Sequence, residues 1–427
     1  MSGADSKSWG VPMRVGPWPL VVLLSITASA SYLCRVNISV TGALMMHDLG
    51  FSPIEMGRLF SALILGYAIF QIPSGAAADR WGARRVLAWA AVWWVVVTIL
   101  LAAVGWGPFG SAAGGMLTLL LILRFVLGAG EAATFPAAAQ GVAQWIGPSK
   151  QGLANGMVLA AVGAGSAVAP LLLSRVMLLG GWRIATVVSA IPALVVAVAW
   201  SCVRESKSLS THQTPPCSAK ESISGLWSPS FVLLTISYTL EGYVGYLFVF
   251  WNYLYLVEVR HFDLLRAGNL SSLPWFLSVV SIPLGGYVSD RLVAGFMGMR
   301  WGRRAIPMLG LTSAGIFLAL GAETANAYVA VAYLALSTAL VLAVEGPFWA
   351  TMMELAGSRS GTAGGVMNLG SNIGGFISPM LTPILAARLG WKNALYAGAG
   401  ISVVGAALWF WISPSVQEET DGQTLSY

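Results

Sequence analysis

The chain has 427 residues, 57% of them hydrophobic and 9% charged, with a mean hydropathy of +0.75 and a formal net charge of +6. That balance excludes a soluble globular protein and fits an all-α polytopic membrane protein. The positive charge is gathered in particular loops between apolar runs, the pattern of membrane orientation rather than of nucleic-acid binding.

Residues 1–16 form a polar tail with Lys7 and Arg14. The first apolar run starts near Pro17 and passes Arg35 towards Met46. It is not a cleaved signal sequence, because apolar runs continue to the C-terminal region. Further runs cover about 54–78, 85–104, a fourth reaching Trp145, 151–178 and 182–203. The stretch 204–229, rich in serine, proline and lysine, reads as a linker. Six more runs lie near 230–258, 268–292, 304–321, 327–355, 361–387 and 392–413, before an acidic tail with Glu418, Glu419 and Asp421. The expected map is a tail 1–16, a six-helix bundle 17–203, a linker 204–229, a second six-helix bundle 230–414 and a tail 415–427, giving twelve transmembrane helices.

Arg80, Arg84, Arg85, Lys150, Arg204, Lys207, Lys220, Arg291, Arg300, Arg303, Arg304 and Arg359 all fall on the side of the N-terminal tail. The opposite loops hold fewer bases, such as Arg183, Arg260, Arg266 and Lys392. The positive-inside rule therefore places both termini in the cytoplasm. The halves echo each other at an offset of about 210 positions. Asp79-Arg80 matches Asp290-Arg291, Glu131 with Pro136 matches Glu345 with Pro347, and Gly181-Trp182 matches Gly390-Trp391.

The fourth run contains Arg124, Gly128 and Glu131, which share one helical face. An arginine at the centre of a spanning helix costs about 2.5–3.5 kcal/mol even on lenient insertion scales. Such a pair either locks helices together or lines an ion or substrate path, with the small Gly128 leaving room between the two charges. Tyr32 and Arg35 in the first run also share a face. Burial favours the neutral form of Glu131, and a nearby guanidinium favours its charged form. Guanidinium itself matches a carboxylate as a two-pronged donor. Arg35 and Glu131 are expected to open onto one wet central chamber.

Other polar groups have plainer readings. Glu241 and Glu345 are acids within apolar runs, open to either a packing or a functional role. Cys34, Cys202 and Cys217 have neither zinc nor disulfide spacing, and His47, His212 and His261 make no metal constellation. No metal or cofactor is expected, and there is no nucleotide loop or nucleophile–base arrangement to suggest an enzyme.

The loop Gly75-Ala-Ala-Ala-Asp79-Arg80-Trp-Gly-Ala-Arg84-Arg85 resembles the signature loop of the major facilitator superfamily. The resemblance implies two six-helix bundles related by a pseudo-two-fold axis. It also implies that Gly75, Asp79, Arg80, Arg84, Arg85, Asp290 and Arg291 gate rather than bind substrate. Tyr32-Leu-Cys34-Arg35-Val-Asn37, with Arg124-x-x-x-Gly128-x-x-Glu131-x-x-x-x-Pro136 and Asn368-Leu-Gly-Ser-Asn372, is similar to the anion:cation symporter family. That likeness implies proton-coupled symport of a small organic anion by alternating access, with sugar acids such as hexonates or hexuronates heading the substrates. Arg35 would bind the carboxylate, with Tyr32, Tyr67, Asn368, Trp349 and Arg124 lining the site and Glu131 exchanging the proton. Bacterial sugar-acid members usually carry an aspartate where this chain has Cys34, so the likeness does not carry over their proton number or the coupling itself. The setting implied is a monomer in the inner (plasma) membrane. Proton-driven efflux of amphipathic compounds and a non-transporting solute sensor are the alternatives on the same fold.

Overall fold

The computed structural model describes residues 16–106, 113–147, 150–203, 228–356 and 360–413. The expected tails and linker lie almost wholly outside these, as do Arg204, Lys207, Lys220 and Arg359. Among the described residues the chain is helical, without strands. The helices are α1 (Pro17–Leu49), α2 (Pro53–Trp81), α3 (Ala83–Ala103), α4 (Ala113–Glu131), α5 (Thr134–Trp145), α6 (Gln151–Ser189) and α7 (Ile191–Cys202). From residue 229 onward come α8 (Pro229–Leu254), which ends in a π-helical turn at Tyr255–Val259, α9 (Leu264–Ala294), α10 (Gly298–Glu323) and α11 (Ala327–Ala343). The last three are α12 (Glu345–Ala356), α13 (Ser360–Leu389) and α14 (Trp391–Leu408).

The fourteen helices among the described residues give twelve passes because some passes are broken. The apolar helical run Leu153–Cys202 is 50 residues long. At about 1.5 Å per residue it is roughly twice as long as a bilayer core is thick. Its break is Gly181, at φ 73° and ψ −179°, a conformation that side-chain-bearing residues rarely hold. Gly390, at φ 85° and ψ 156°, makes the same turn between α13 and α14. The Gly-Trp echo in the sequence is thus a shared device for reversing the chain.

A second shared device is a helix broken beside an acid. α4 ends on Glu131, and α5 restarts at Thr134 with Pro136 in its first turn. α11 ends at Ala343, and α12 restarts at Glu345 with Pro347 in its first turn. Proline is tolerated there because the first turn lacks intrahelical partners for its N–H groups anyway.

Glycines set the closest helix contacts, again in parallel. A Cβ on Gly128 would sit 2.0 Å from Leu63 O, and one on Gly66 2.0 Å from Phe125 O, so α2 and α4 touch backbone to backbone. Gly285 meets Ala343 O in the same way where α9 crosses the end of α11. Gly165 takes Ser29 O between α6 and α1, and Gly374 takes Thr239 O between α13 and α8. The space at Gly128 is therefore filled by the α2 backbone. It does not lie open between Arg124 and Glu131, as the helical spacing alone suggested.

The contacts divide the chain into two compact units. The first holds the residues up to 218 with 248–279 and 379–387; the second holds 219–247, 280–378 and the rest. Within the first unit, Phe60 stacks on Phe250 at 4.8 Å and meets Trp251 edge-on at 5.3 Å. Gly57 admits the carbonyl of Pro379, to which a Cβ would approach within 2.2 Å. A void of about 20 Å³, lined by residues such as Ser39, Ser166, Asn252 and Trp275, remains nearby, enough for about one water. The C-terminal half of α1 is consequently packed shut on all sides, with every residue from Leu33 to Ala43 buried.

Candidate functional site

The centre of the first unit holds three buried charges. Arg35 on α1, Arg124 on α4 and Glu131 at the end of α4 are 1%, 0% and 0% exposed. Arg35 Nε donates to Glu131 Oε2 at 2.8 Å. Arg124 Nη2 donates to the backbone oxygen of Arg35 at 3.1 Å. The Arg124 Nε and Nη1 atoms have no hydrogen-bond partner among the described residues. Tyr32 and Tyr67 flank the Arg35 guanidinium, with ring centroids 4.6 and 4.4 Å from its carbon. Tyr32 OH also accepts from Arg35 Nη1 at 3.4 Å.

The local backbone explains the placement. Tyr32 is one turn before Arg35, so both project from one side of α1. Thr134 Oγ1 donates to Glu131 O at 2.8 Å and, at 3.3 Å, also meets Ser31 Oγ of α1. This ties the α4–α5 break to α1 and holds Glu131 facing Arg35. Two arginines and one glutamate leave a net charge of +1 when Glu131 is ionised, and +2 when it is protonated. A buried surplus of that sign is relieved by an anion.

The sequence reading expects Arg35 and Glu131 to open onto a wet chamber. The structure corrects this: both are buried and occupy one another, and Tyr32 is the half-exposed member of the group. A cavity of about 600 Å³ touches neither; apolar groups including Phe70, Trp81, Trp89 and Trp93 line it, together with Arg85.

Cys34, beside Arg35, is buried, and its thiol donates to Ser189 O at 3.5 Å. It supplies no charge to the group. Asn37 Nδ2 donates to Ser189 Oγ at 2.9 Å, so the Tyr32–Asn37 stretch splits between ion-pair chemistry and anchorage on α6.

Trp349 and Asn368 lie in the second unit. Trp349 Nε1 donates to Glu345 Oε2 at 3.2 Å, and Asn368 is half-buried on α13. Tyr238 OH donates to the same Glu345 oxygen at 2.9 Å. Tyr238 reads from sequence as packing as readily as site; the carboxylate it serves comes from a helix 107 positions away, so no local signal marks it.

The loop residues divide by partner. A Cβ on Gly75 would make ordinary contact with Pro136 of α5, at 3.8 Å, and Asp79 Oδ1 accepts from Gln140 Nε2 at 3.5 Å. Arg84 donates to Trp200 O and Ser201 O at 3.0 and 3.2 Å, closing the carbonyl end of α7. Arg80 and Arg85 are exposed. In the second unit Asp290 pairs with Arg303 at 2.5 Å, Arg303 also binds Glu354 at 2.7 Å, and Arg291 lies 5.2 Å from the Tyr287 ring.

The profile of the Major Facilitator Superfamily matches residues 24–379 and, again, 291–425. A probable sulfoacetate transporter of Cupriavidus necator is 29% identical over 412 residues, covering 90% of this chain and 91% of that protein. The hexuronate transporter of Bacillus subtilis is 25% identical over 404 residues, covering 91% and 93%. A probable galactarate/D-glucarate transporter of the same organism is 27% identical over 421 residues, covering 92% and 90%. Among solved structures, a bacterial homologue of the human lysosomal transporter Spinster aligns with a TM-score of 0.79 at 18% identity, over 94% of this chain and 97% of that one. The D-xylose–proton symporter aligns at 0.75 and 15%, over 94% and 99%. Buried charge on broken helices, paired glycine crossings and matches along the whole length agree, and the chain belongs to the Major Facilitator Superfamily.

Proposed function

We propose that this protein is a proton-coupled carrier of a small organic anion, working by alternating access. The observation that carries the reading is the buried contact between Arg35 and Glu131, bracketed by Tyr32 and Tyr67. Arg35 is the anion's partner, and Glu131 competes with the anion for it. Protonating Glu131 removes a negative charge from the guanidinium and raises the local surplus from +1 to +2. Anion and proton binding therefore reinforce each other, and by linkage each tightens the other equally. Arg124 holds the α1 backbone at Arg35 and adds to the attraction.

Carboxylates and sulfonates both present two or more oxygens to a guanidinium fork. Relatives named for sulfoacetate, hexuronate and galactarate or glucarate all take such anions, and sugar acids head the proposed substrates. The gating reading of Gly75, Asp79, Arg80, Arg84, Arg85, Asp290 and Arg291 and the lining roles of Asn368 and Trp349 belong to the same proposal. So do the inner-membrane location and the cytoplasmic termini.

Uptake of labelled hexuronate, hexonate and sulfoacetate into proteoliposomes tests it. Uptake of at least one should need an inward proton gradient. Arg35→Ala should abolish that uptake, and Glu131→Gln should bind the anion with an affinity that no longer weakens as pH rises. Gradient-driven uptake surviving in both variants overturns the assignment. Export of amphipathic compounds with Arg35→Ala unimpaired would favour an efflux pump instead.

A further inference from the structure

The second unit holds a buried charge problem of the opposite sign. Tyr238 and Glu241 stand one turn apart on α8, and Glu345 and Trp349 one turn apart at the start of α12. Glu241 is 3% exposed and stands one turn from Tyr238, whose hydroxyl donates to Glu345 Oε2 at 2.9 Å, so α8 brings the two carboxyls to one place. Among the described residues neither acid forms an ion pair with a lysine, arginine or histidine, and the titratable side chain bonded to Glu345 is Tyr238.

The two carboxyls are not equivalent. Glu345 Oε2 accepts from Tyr238 OH at 2.9 Å and from Trp349 Nε1 at 3.2 Å. It also occupies the first position of α12, where the helix dipole and unpaired N–H groups favour an anion. Glu241 lies in mid-helix, buried, without the two donors that Glu345 has and away from any helix N-terminus. A buried carboxyl beside a second carboxyl does not stay ionised without a cation near it. The smallest cation that meets the need is a proton, and the better-solvated anion is Glu345.

We propose that Glu241 and Glu345 form a second proton site, separate from Glu131, in which Glu241 carries the proton and Glu345 is its ionised acceptor. Loading forms one O–H bond on Glu241. Unloading returns that proton to water by way of Glu345, which is half-exposed and lies beside the exposed Trp349. No electron moves. The existence of the site does not depend on how Glu131 behaves; its use in a transport cycle rests on the reading above.

Infrared difference spectroscopy on the purified full chain, with pH stepped, tests the site. The Glu131→Gln background removes the other buried acid. In that background a protonated-carboxyl C=O band should persist at neutral pH. It should be lost in Glu131→Gln/Glu241→Gln and kept in Glu131→Gln/Glu241→Asp. Tyr238→Phe should shift its frequency. A band indifferent to Glu241→Gln, or missing from the Glu131→Gln protein, overturns the proposal. So does bleaching of the band when sodium replaces choline at constant ionic strength, which would make the occupant a metal cation. If Glu241→Gln fails to fold, the comparison of Glu241→Asp with its parent, which should shift but not remove the band, still decides. The uptake assay under Proposed function can fail without touching this result, so the two readings fall separately.

Discussion

At the residue scale the ring faces around Arg35 matter as much as its ion pair. A cation–π contact in a desolvated setting is worth about 2 kcal/mol. Tyr67 is 4% exposed, and its ring centroid is 4.4 Å from the guanidinium carbon. Tyr67→Leu should therefore raise the anion Kd by about 10- to 30-fold. Tyr67→Phe, which keeps the ring face, should change it by less than about 5-fold. Isothermal titration with the best substrate from the uptake screen checks both. The identities of Arg35, Arg124 and Glu131 as an unusual set were legible in sequence, because charge inside an apolar run is conspicuous. Their pairing was not. The helical spacing linked Arg124 to Glu131 on one helix, whereas the hydrogen bond runs between Glu131 and Arg35, 96 positions apart.

At the element scale glycine does two separate jobs. Gly128 and Gly66 remove side chains from the α2–α4 crossing, where any Cβ would sit 2.0 Å from a backbone oxygen. Gly128→Ala should lower stability by about 1–3 kcal/mol through overpacking. Gly181 instead supplies a backbone conformation, since nothing lies within 4 Å of a Cβ there. Gly181→Ala should cost about 1–3 kcal/mol from strain alone. Gly400→Ala is the control: open space surrounds a Cβ there, and α14 continues through the position. Thermal unfolding in one detergent should therefore lower Tm for the first two variants and leave the third unchanged or slightly raised, as helix propensity favours alanine. An unchanged Gly128→Ala protein would refute the backbone-contact reading. The broken passes at 132–133 and 344 escaped the sequence reading, because apolar composition runs unbroken across both.

At the scale of the whole molecule, a carrier must open what this structure holds shut. The packing of Gly57 on Pro379 and of Phe60 on Phe250 buries the C-terminal half of α1, where Ser39 is 3% exposed. Alternating access requires that packing to part. Gly57→Leu should block it, since a Cβ alone would come within 2.2 Å of Pro379 O. In a chain whose three native cysteines are replaced, Ser39→Cys should react slowly with a water-soluble thiol reagent. Adding Gly57→Leu should speed that reaction about 10-fold or more, the change expected if some 1.4 kcal/mol is taken from the closed arrangement. Equal rates would mean that this end does not open.

The sequence by itself determined the membrane class, the twelve passes, the repeat and the buried charges. Each of these follows from transfer free energy or from short-range pattern: twenty apolar residues must span, a Gly-Trp turn must reverse, and an arginine in hydrocarbon must have a reason. Only the tertiary structure decided which charge meets which. Helix α4 presents Glu131 to α1, α12 presents Glu345 to Tyr238 of α8, and α2 takes the space beside Gly128. Those outcomes depend on how helices cross, and crossing is set by side-chain and backbone contacts between segments far apart in the chain, to which no local pattern is sensitive.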